Sequence, residues 1–404
     1  MLKKIHVRDI RLGMFIQELC GSWMDHPFWK NSFKLIDPKE LHTLQHCIVQ
    51  EVWIDTSKGL DVEATTQVIS SGDEKHKIEQ ELRKAVEETP ISDPHISFQQ
   101  ELDRARDVQT KSKAAVTSMF NEVRMGKALQ VSEAEPLVDE ISQSISRNPE
   151  AFLSLVRLKN KDNYTYMHSV AVCALMTSLG KQLGLTGQDL KDVGMAGLLH
   201  DVGKMMIPDK VLHKPGKLTD EEFNIIKDHP RKGWEVLKIS PGANAAALDV
   251  CLHHHERVDG KGYPESISGD KLSLFARMGA ICDVYDALTS NRCYKTGWEP
   301  AETLRKMTEW KNGHFDERIF YAFVKTIGIY PSGTLVKLKS GNLAVVVEQT
   351  QKSLLTPIVK AFYSTKSNKQ IPPELIDLSA ATDSIANIEV AEKWGFDLNR
   401  IVRN

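Results

Sequence analysis

Apolar residues along this chain keep three different rhythms, and each marks a region with its own architecture. Over residues 1–70, short extended segments (Lys4–Val7, Gly13–Gln17 and Val49–Ile54) flank a helical piece that starts near Asp37-Pro38, which predicts a small α+β domain. From 71 to 97 the chain turns polar and charged, carries Pro90 and Pro94, and lacks period-two alternation; it reads as a linker that includes a helical segment. Between 98 and 330 apolar residues recur at steps of three and four: Phe98, Leu102, Ala105; Val116, Met119, Phe120, Val123; Leu190, Val193, Ala196, Leu199. That spacing predicts a large helical domain. Two helix starts are signalled inside it, Thr186 with Asp189 and Thr219 with Glu222, each a hydroxyl residue followed three places later by an acid. After Pro331 the stretches GTLVKL, NLAVVVEQ and PIVKAFYS alternate as strands do, so 331–404 is expected to be a short β-rich tail. The predicted class is multidomain and mainly α.

Charge narrows what such a protein can bind. Lys plus Arg (52) and Asp plus Glu (54) nearly cancel, leaving a net charge of -2, which excludes the diffuse phosphate attraction of a non-specific nucleic-acid binder. An anionic ligand must therefore meet a local site. The cysteines Cys20, Cys47, Cys173, Cys251, Cys282 and Cys293 never form a CxxC pair, which argues against a disulfide framework and a thiolate zinc site and predicts a reducing, cytoplasmic setting. The opening MLKKIHVRDI lacks a secretory apolar stretch, and no run approaches the roughly 18 apolar residues of a membrane span.

The chemistry lies in the histidines. Seven of the fourteen fall between His168 and His255, beside carboxylates and on separate predicted helices. His168 sits in a helical pattern, His200 and Asp201 end the helix that starts near Thr186, His229 lies in KDHP, His253, His254 and His255 form one run, and Asp283 lies in the apolar helix ICDVYDAL. Facing helices supply metal ligands in this way. Imidazole with carboxylate and no thiolate suits iron, manganese or nickel, with zinc also within range. An aspartate beside a histidine can bridge two ions with its two oxygens. The expected groups are His168, His200, Asp201 and Asp283 around one ion and Asp201, His229, His254 and His255 around the other, about 3.5 to 4 Å apart as in two-metal hydrolases. Two divalent cations against two aspartates leave a positive excess that would attract phosphate. His253 is assigned to packing or to support of the ligands, because three successive side chains cannot all face one point. His6, His26, His42, His46, His76, His95, His213 and His314 lack such company and read as ordinary core or surface residues.

Four motifs in order, HDVGK at His200–Lys204, DHP at Asp228, HHE at His254–Glu256 and DGKGYP at Asp259–Pro264, resemble the bacterial HD-GYP family over roughly Pro149 to Tyr330. The family is a branch of the HD-domain metal-dependent phosphohydrolases, and its members typically degrade the second messenger cyclic di-GMP. The resemblance implies the same seven ligands and selects His254 and His255 from the run of three. It makes Lys204 the lysine that approaches the substrate phosphate and Arg292 and Lys295 a basic pair for the cyclic dinucleotide. By the same resemblance Asp286 touches the guanine edge or caps a helix, Asp162 hydrogen-bonds near the scissile phosphate or is an exposed turn residue, and Tyr263 lines the pocket mouth or packs.

Tyr164 stands where some members carry a glutamate and hold a third metal, so two ions are expected. Val258 stands where an aromatic residue often precedes DG. The segment GSWMDHPFWKNSF resembles a small domain of unassigned role, and Trp23, Phe28, Trp29 and Phe33 are read as its core or as a surface for a ligand or a partner. The implied reaction is metal-assisted attack of water on phosphorus with loss of the ribose 3'-oxygen, giving pGpG, from which a further cut would give GMP, and lowering a messenger that controls biofilm and motility. A sensor of cyclic di-GMP or of metal, acting through protein partners, is the rival reading; a homodimer, with the N-terminal domain free to meet other proteins, is compatible with both.

Overall fold

Central strand β4 of the N-terminal region, described below, is apolar over its three middle residues, Val52, Trp53 and Ile54, and a small antiparallel sheet closes around it. In this computed structural model, residues 2–21, 32–47, 49–62, 69–86, 96, 98–157, 164–214, 216, 218–290, 297–350, 353–389, 391–396 and 401 are described. The chain divides into two units, Met1–Glu81 with Arg305–His314, and Leu82–Leu304 with Phe315–Asn404.

The first unit holds β1 (Leu2–His6), β2 (Phe15–Leu19), β3 (Phe33–Lys34), α1 (Pro38–Gln45), β4 (Glu51–Asp55) and β5 (Ile69–Ser70), in the strand order β3-β2-β4-β1-β5 with every pairing antiparallel. Its core joins Ile5, Met14, Ile16, Leu35, Val52 and Ile54, and Phe33 packs with them. Phe33 is thus a core aromatic; Trp23, Phe28 and Trp29 lie outside the described residues. Asp37 caps α1 by accepting from Lys39 N at 2.8 Å, with Pro38 in the first turn, as the sequence predicts. The polar stretch that follows includes α2 (Ser71–Val86), whose Ile78, Leu82 and Val86 recur every four residues and are buried.

The second unit is built of helices: α3 (Phe98–Arg124), α4 (Glu135–Arg147), α5 (Pro149–Arg157), α6 (Tyr164–Gln182), α7 (Gly187–Leu199), α8 (Asp209–Leu212), α9 (Asp220–Lys227), α10 (His229–Lys238), α11 (Ala245–His253), α12 (Leu274–Thr289), α13 (Pro300–His314), which crosses into the first unit, and α14 (Glu317–Ile327). Every side chain from Met167 to Leu179 on α6 is buried, so this helix has no solvent face and runs inside a cage of α3, α4, α5, α7, α12 and α14. Thr219 and Glu222 form the expected capping box, 3.3 Å from Thr219 Oγ1 to Glu222 N and 2.7 Å from Thr219 N to Glu222 Oε2. Thr186 is the N-cap of α7 but makes no side-chain cap bond; Gly187 beside it takes φ +55°, so the first turn there is irregular. The chain ends in β6 (Leu335–Leu338), β7 (Asn342–Glu348), β8 (Ile358–Ser364), β9 (Lys369–Asp377), β10 (Ile385–Ile388) and α15 (Ala391–Trp394), with strand order β10-β6-β7-β8-β9. The protein is therefore mainly α and multidomain, with a small sheet towards each end. No helix among the described residues is long and apolar enough to cross a membrane.

One buried charge ties the long helix α3 to α4. Glu101 accepts from Ser144 Oγ at 2.7 Å and from Arg147 Nε and Nη2 at 2.7 and 2.8 Å. Replacing it with alanine leaves a forked guanidinium and a hydroxyl unmet inside the bundle, so Glu101→Ala is expected to cost about 2–4 kcal/mol. A lower urea midpoint at unchanged m checks this.

Candidate metal centre

Each ligand expected from the sequence stands at a helix end or on a buried helix face. His168 projects from α6; His200 is the residue after α7 and Asp201 the next; Asp283 lies midway along α12. His229 opens α10 with Pro230 in its first turn, and α11 stops at His253, which leaves His254 and His255 beyond its end. A glycine pair draws these ends together. A Cβ on Gly203 would lie 2.0 Å from His229 O and 2.4 Å from Gly233 N, so the turn that carries Asp201 rests directly on the backbone of α10.

The two oxygens of Asp201 face two groups. Oδ2 lies 3.3 Å from His168 Nε2 and 3.4 Å from His200 Nε2, and Asp283 Oδ1 lies 2.9 and 3.8 Å from the same two nitrogens. Oδ1 lies 3.2 Å from His229 Nε2 and 3.7 Å from His254 Nε2. His255 turns Nδ1 to 3.7 Å from Asp283 Oδ2. Three sets of donor atoms each fall within 4.8 Å of one another: His168, His200 and Asp283; His200, Asp201 and His254; His229, His254 and His255.

Hydrogen bonds at the back of each ring decide what its front offers. Nδ1 of His200 donates to Gly197 O at 2.8 Å, that of His229 to Ile226 O at 2.7 Å and that of His254 to Val250 O at 3.0 Å. In its neutral form each of these rings presents a lone pair at Nε2, aimed at a carboxylate or at another ring nitrogen: the Nε2 atoms of His229 and His254 are 3.3 Å apart. Lone pairs converging in this way need a cation among them. Among the described residues, His200 Nε2 and Asp201 Oδ1 are buried with no hydrogen-bond partner, as ligand atoms would be. The donor set thus fits divalent ions.

Titration tendencies agree with that fit. Burial and the neighbouring rings push His254 down to about 3, and burial drives His255 well below its usual value, so both stay neutral. Burial alone would raise Asp201 and Asp283, but Lys204 and the His168 ring hold Asp201, and the His168 ring holds Asp283, well below the ordinary carboxylate range. Burial also opposes charge on His168, yet Asp201, Asp283 and Asp286 outweigh it and raise its pKa to about 10.

Comparison with known proteins fits this geometry. Residues 2–134 match a domain of unknown function and 140–319 match the HD domain. A protein of Pseudomonas aeruginosa named a cyclic di-GMP phosphodiesterase is 51% identical over 399 residues, 98% of this chain and 94% of that one. The chain belongs to the HD-GYP family of cyclic di-GMP phosphodiesterases. A second relative, the cyclic di-GMP phosphodiesterase response regulator of Xanthomonas campestris, is 36% identical over 202 residues, 49% of this chain and 53% of that one. A 3'3'-cGAMP-specific phosphodiesterase of Vibrio cholerae is 36% identical over 166 residues, 41% of this chain and 38% of its own. HD-domain phosphohydrolases depend on metals, and the histidine–aspartate clusters here could hold them.

The remaining residues expected at an HD-GYP site stand as follows. Lys204, three residues past Asp201 on the short 3-10 turn Val202–Met206, reaches Asp201 Oδ2 at 2.5 Å. Tyr263 stacks on His255 with ring centroids 4.7 Å apart. Asp286 departs from the expectation of a guanine contact or cap: it is 2% exposed and its Oδ2 lies 2.6 Å from His168 Nδ1, because α12 turns it towards α6. Asp162, Arg292 and Lys295 lie outside the described residues, as does the side chain of Tyr164. His253 pairs with residues outside the ligand set, its Nδ1 2.7 Å from Asp249 and its Nε2 3.4 Å from Glu265.

Sequence reasoning overlooked Glu256. Its buried Oε1 accepts from Glu265 N at 2.7 Å and Ser266 N at 2.9 Å and so anchors the DGKGYP loop; the acid of HHE was the available signal. Gly260 takes φ +74° in that loop, and a Cβ on Gly262 would meet Glu256 Cα at 2.4 Å.

A cation held by His168 would displace the proton that this ring keeps up to about pH 10, so metal uptake should release protons. Apparent Mn(II) affinity is then expected to rise from about pH 6 to about pH 8, with the proton count read from calorimetry in two buffers of different ionisation enthalpy. Affinity flat in pH would contradict it.

Proposed function

We propose that this protein opens cyclic di-GMP by metal-dependent hydrolysis of a 3',5'-phosphodiester bond, giving linear pGpG, with cleavage to GMP as the following step. One observation carries the reading: the oxygens of a single buried carboxylate, Asp201, face two nitrogen-rich ligand groups. It is supported by 51% identity over nearly the whole chain to a protein named for that activity. Two divalent ions would be held, one by His168, His200, Asp201 and Asp283 and the other by Asp201, His229, His254 and His255. Iron, manganese or nickel suits this imidazole–carboxylate set, and zinc is the next candidate. When bound, such ions lower the pKa of water and draw charge from phosphate oxygens.

The chain's own residues supply the rest. Lys204, beside Asp201 Oδ2, brings an ammonium to the edge of the site where negative charge grows as phosphorus is attacked. Arg292 and Lys295 would hold the dinucleotide phosphates, one by its planar fork and the other as a point charge, and Asp162 would hydrogen-bond close to the scissile group. Tyr263, stacked on His255, walls the entrance. The nearby thiols of Cys251 and Cys282 are pushed far up by burial and stay protonated, so neither serves as a thiolate nucleophile.

In this reading residues 98–330 form the catalytic domain behind a linker at 71–97. The domain at 1–70 is open to protein partners, 331–404 forms the C-terminal segment, the enzyme works in the cytoplasm, and pairing of two copies is compatible with all of it.

Anaerobically purified protein supplied with Mn(II), Fe(II) or Ni(II) is expected to convert cyclic di-GMP to pGpG on chromatography, and faster than 3'3'-cGAMP. Tight binding of cyclic di-GMP without product under any of the three metals would reject the enzymatic reading in favour of a sensor. His200→Ala combined with Asp201→Ala should remove both bound metal and turnover. Lys204→Ala should keep the metal while kcat falls by about a hundredfold, the usual loss when one charge-stabilising donor is taken from a transition state.

A further inference from the structure

We infer that Asp286 is a positioning residue that makes the two cation positions unequal, strengthening the one built on His168 by gripping the back of that imidazole. The inference rests on the two-ion reading above. Asp283 and Asp286 are one turn apart on α12 and so share a face of the helix. Between them they clamp a single ring: Asp283 Oδ1 lies 2.9 Å from His168 Nε2, and Asp286 Oδ2 lies 2.6 Å from Nδ1. The other rings whose backs are engaged use main-chain carbonyls, Gly197 for His200, Ile226 for His229 and Val250 for His254. An anionic acceptor does more than a carbonyl. It locks the tautomer and also makes the imidazole a stronger donor to a metal, and such partners commonly affect affinity by about 10- to 100-fold.

Charge separates the positions in the same direction. Asp201 is common to both. The His168 side adds Asp283 at 2.9 Å and Asp286 behind the ring, against one ammonium, Lys204, on Asp201 Oδ2. The His229 side adds imidazoles and no further carboxylate of its own, and Asp283 approaches it only through Oδ2, 3.7 Å from His255 Nδ1. The His168 position therefore carries the greater negative charge and the more basic imidazole, and it should fill first and hold its ion longer. Asp286 is buried behind the ring, with Ser290 Oγ 3.3 Å from the same oxygen, which fixes the carboxylate in this orientation.

The experiment titrates metal-free, full-length protein with Mn(II), reading stoichiometry by calorimetry and spin coupling between paired ions by electron paramagnetic resonance. Wild type should bind two ions with distinct affinities. Asp286→Ala should weaken the tighter one by about 10- to 100-fold and leave the other within error. Asp286→Asn, which keeps an acceptor for Nδ1 but removes the charge, should lose less, and it stands in if the alanine variant does not fold. Two ions at wild-type affinity in either folded variant, with only a raised KM for cyclic di-GMP, would overturn the inference and make Asp286 a substrate contact. His168→Ala and His229→Ala are the controls: each should abolish one of the two binding events. If both variants still bind two ions, the metal centre itself has been misread, an outcome distinct from failure of Asp286 alone.

Discussion

A buried carboxylate without a proton is costly in a protein interior unless positive charge or hydrogen-bond donors meet it. Asp201 is fully buried, and the catalytic unit is arranged around that demand: His168 and His200 approach one oxygen, His229 and His254 the other, and the Lys204 ammonium sits at the rim. The lone pairs that His200, His229 and His254 offer in their neutral forms do not neutralise it. They are productive only with cations between them, so the stability of this region and its chemistry are one problem.

The framework that meets this demand is mostly backbone. α6 lacks a polar face and is caged by its neighbours, which holds His168 still. Gly203 against Gly233 lets two main chains touch where any side chain would hold them apart, and that contact carries His229 to Asp201. Glu256 then secures the DGKGYP loop by its amides, which keeps Tyr263 flat against His255. Rigid supports of this kind let ligand atoms keep their spacing as charge moves through the site.

Salt-bridged charge is also concentrated in the N-terminal unit. Lys306 on α13 pairs with Glu18 at 2.7 Å and Glu309 at 3.1 Å, and Lys4 pairs with Glu51 at 2.8 Å and Glu74 at 2.6 Å. Residues Arg305–His314 of α13 group with this unit, whereas its first residues, Pro300–Leu304, group with the catalytic helices that include α12 and its two aspartates. One continuous helix thus belongs to both units.

Much of this could be read from the chain because it is local. Asp37 before Pro38 and Thr219 before Glu222 signal caps through neighbours that touch in the folded helix, and apolar steps of three and four mark buried faces whatever they pack on. The ligand types and the adjacency of His200 and Asp201 already pointed to a shared pair of cations. Long-range packing decided the rest. Whether Asp286 would face a substrate or the back of His168, 118 residues away, depends on how α12 is rotated against α6, and no local pattern encodes that rotation. The missing cap at Thr186 and the contact of Gly203 with Gly233 are of the same kind. Sequence alone determined which side chains could bind metal; tertiary structure decided which oxygen and which nitrogen meet, because a bond of a few ångströms is set by the orientation of whole helices and not by the residues on either side.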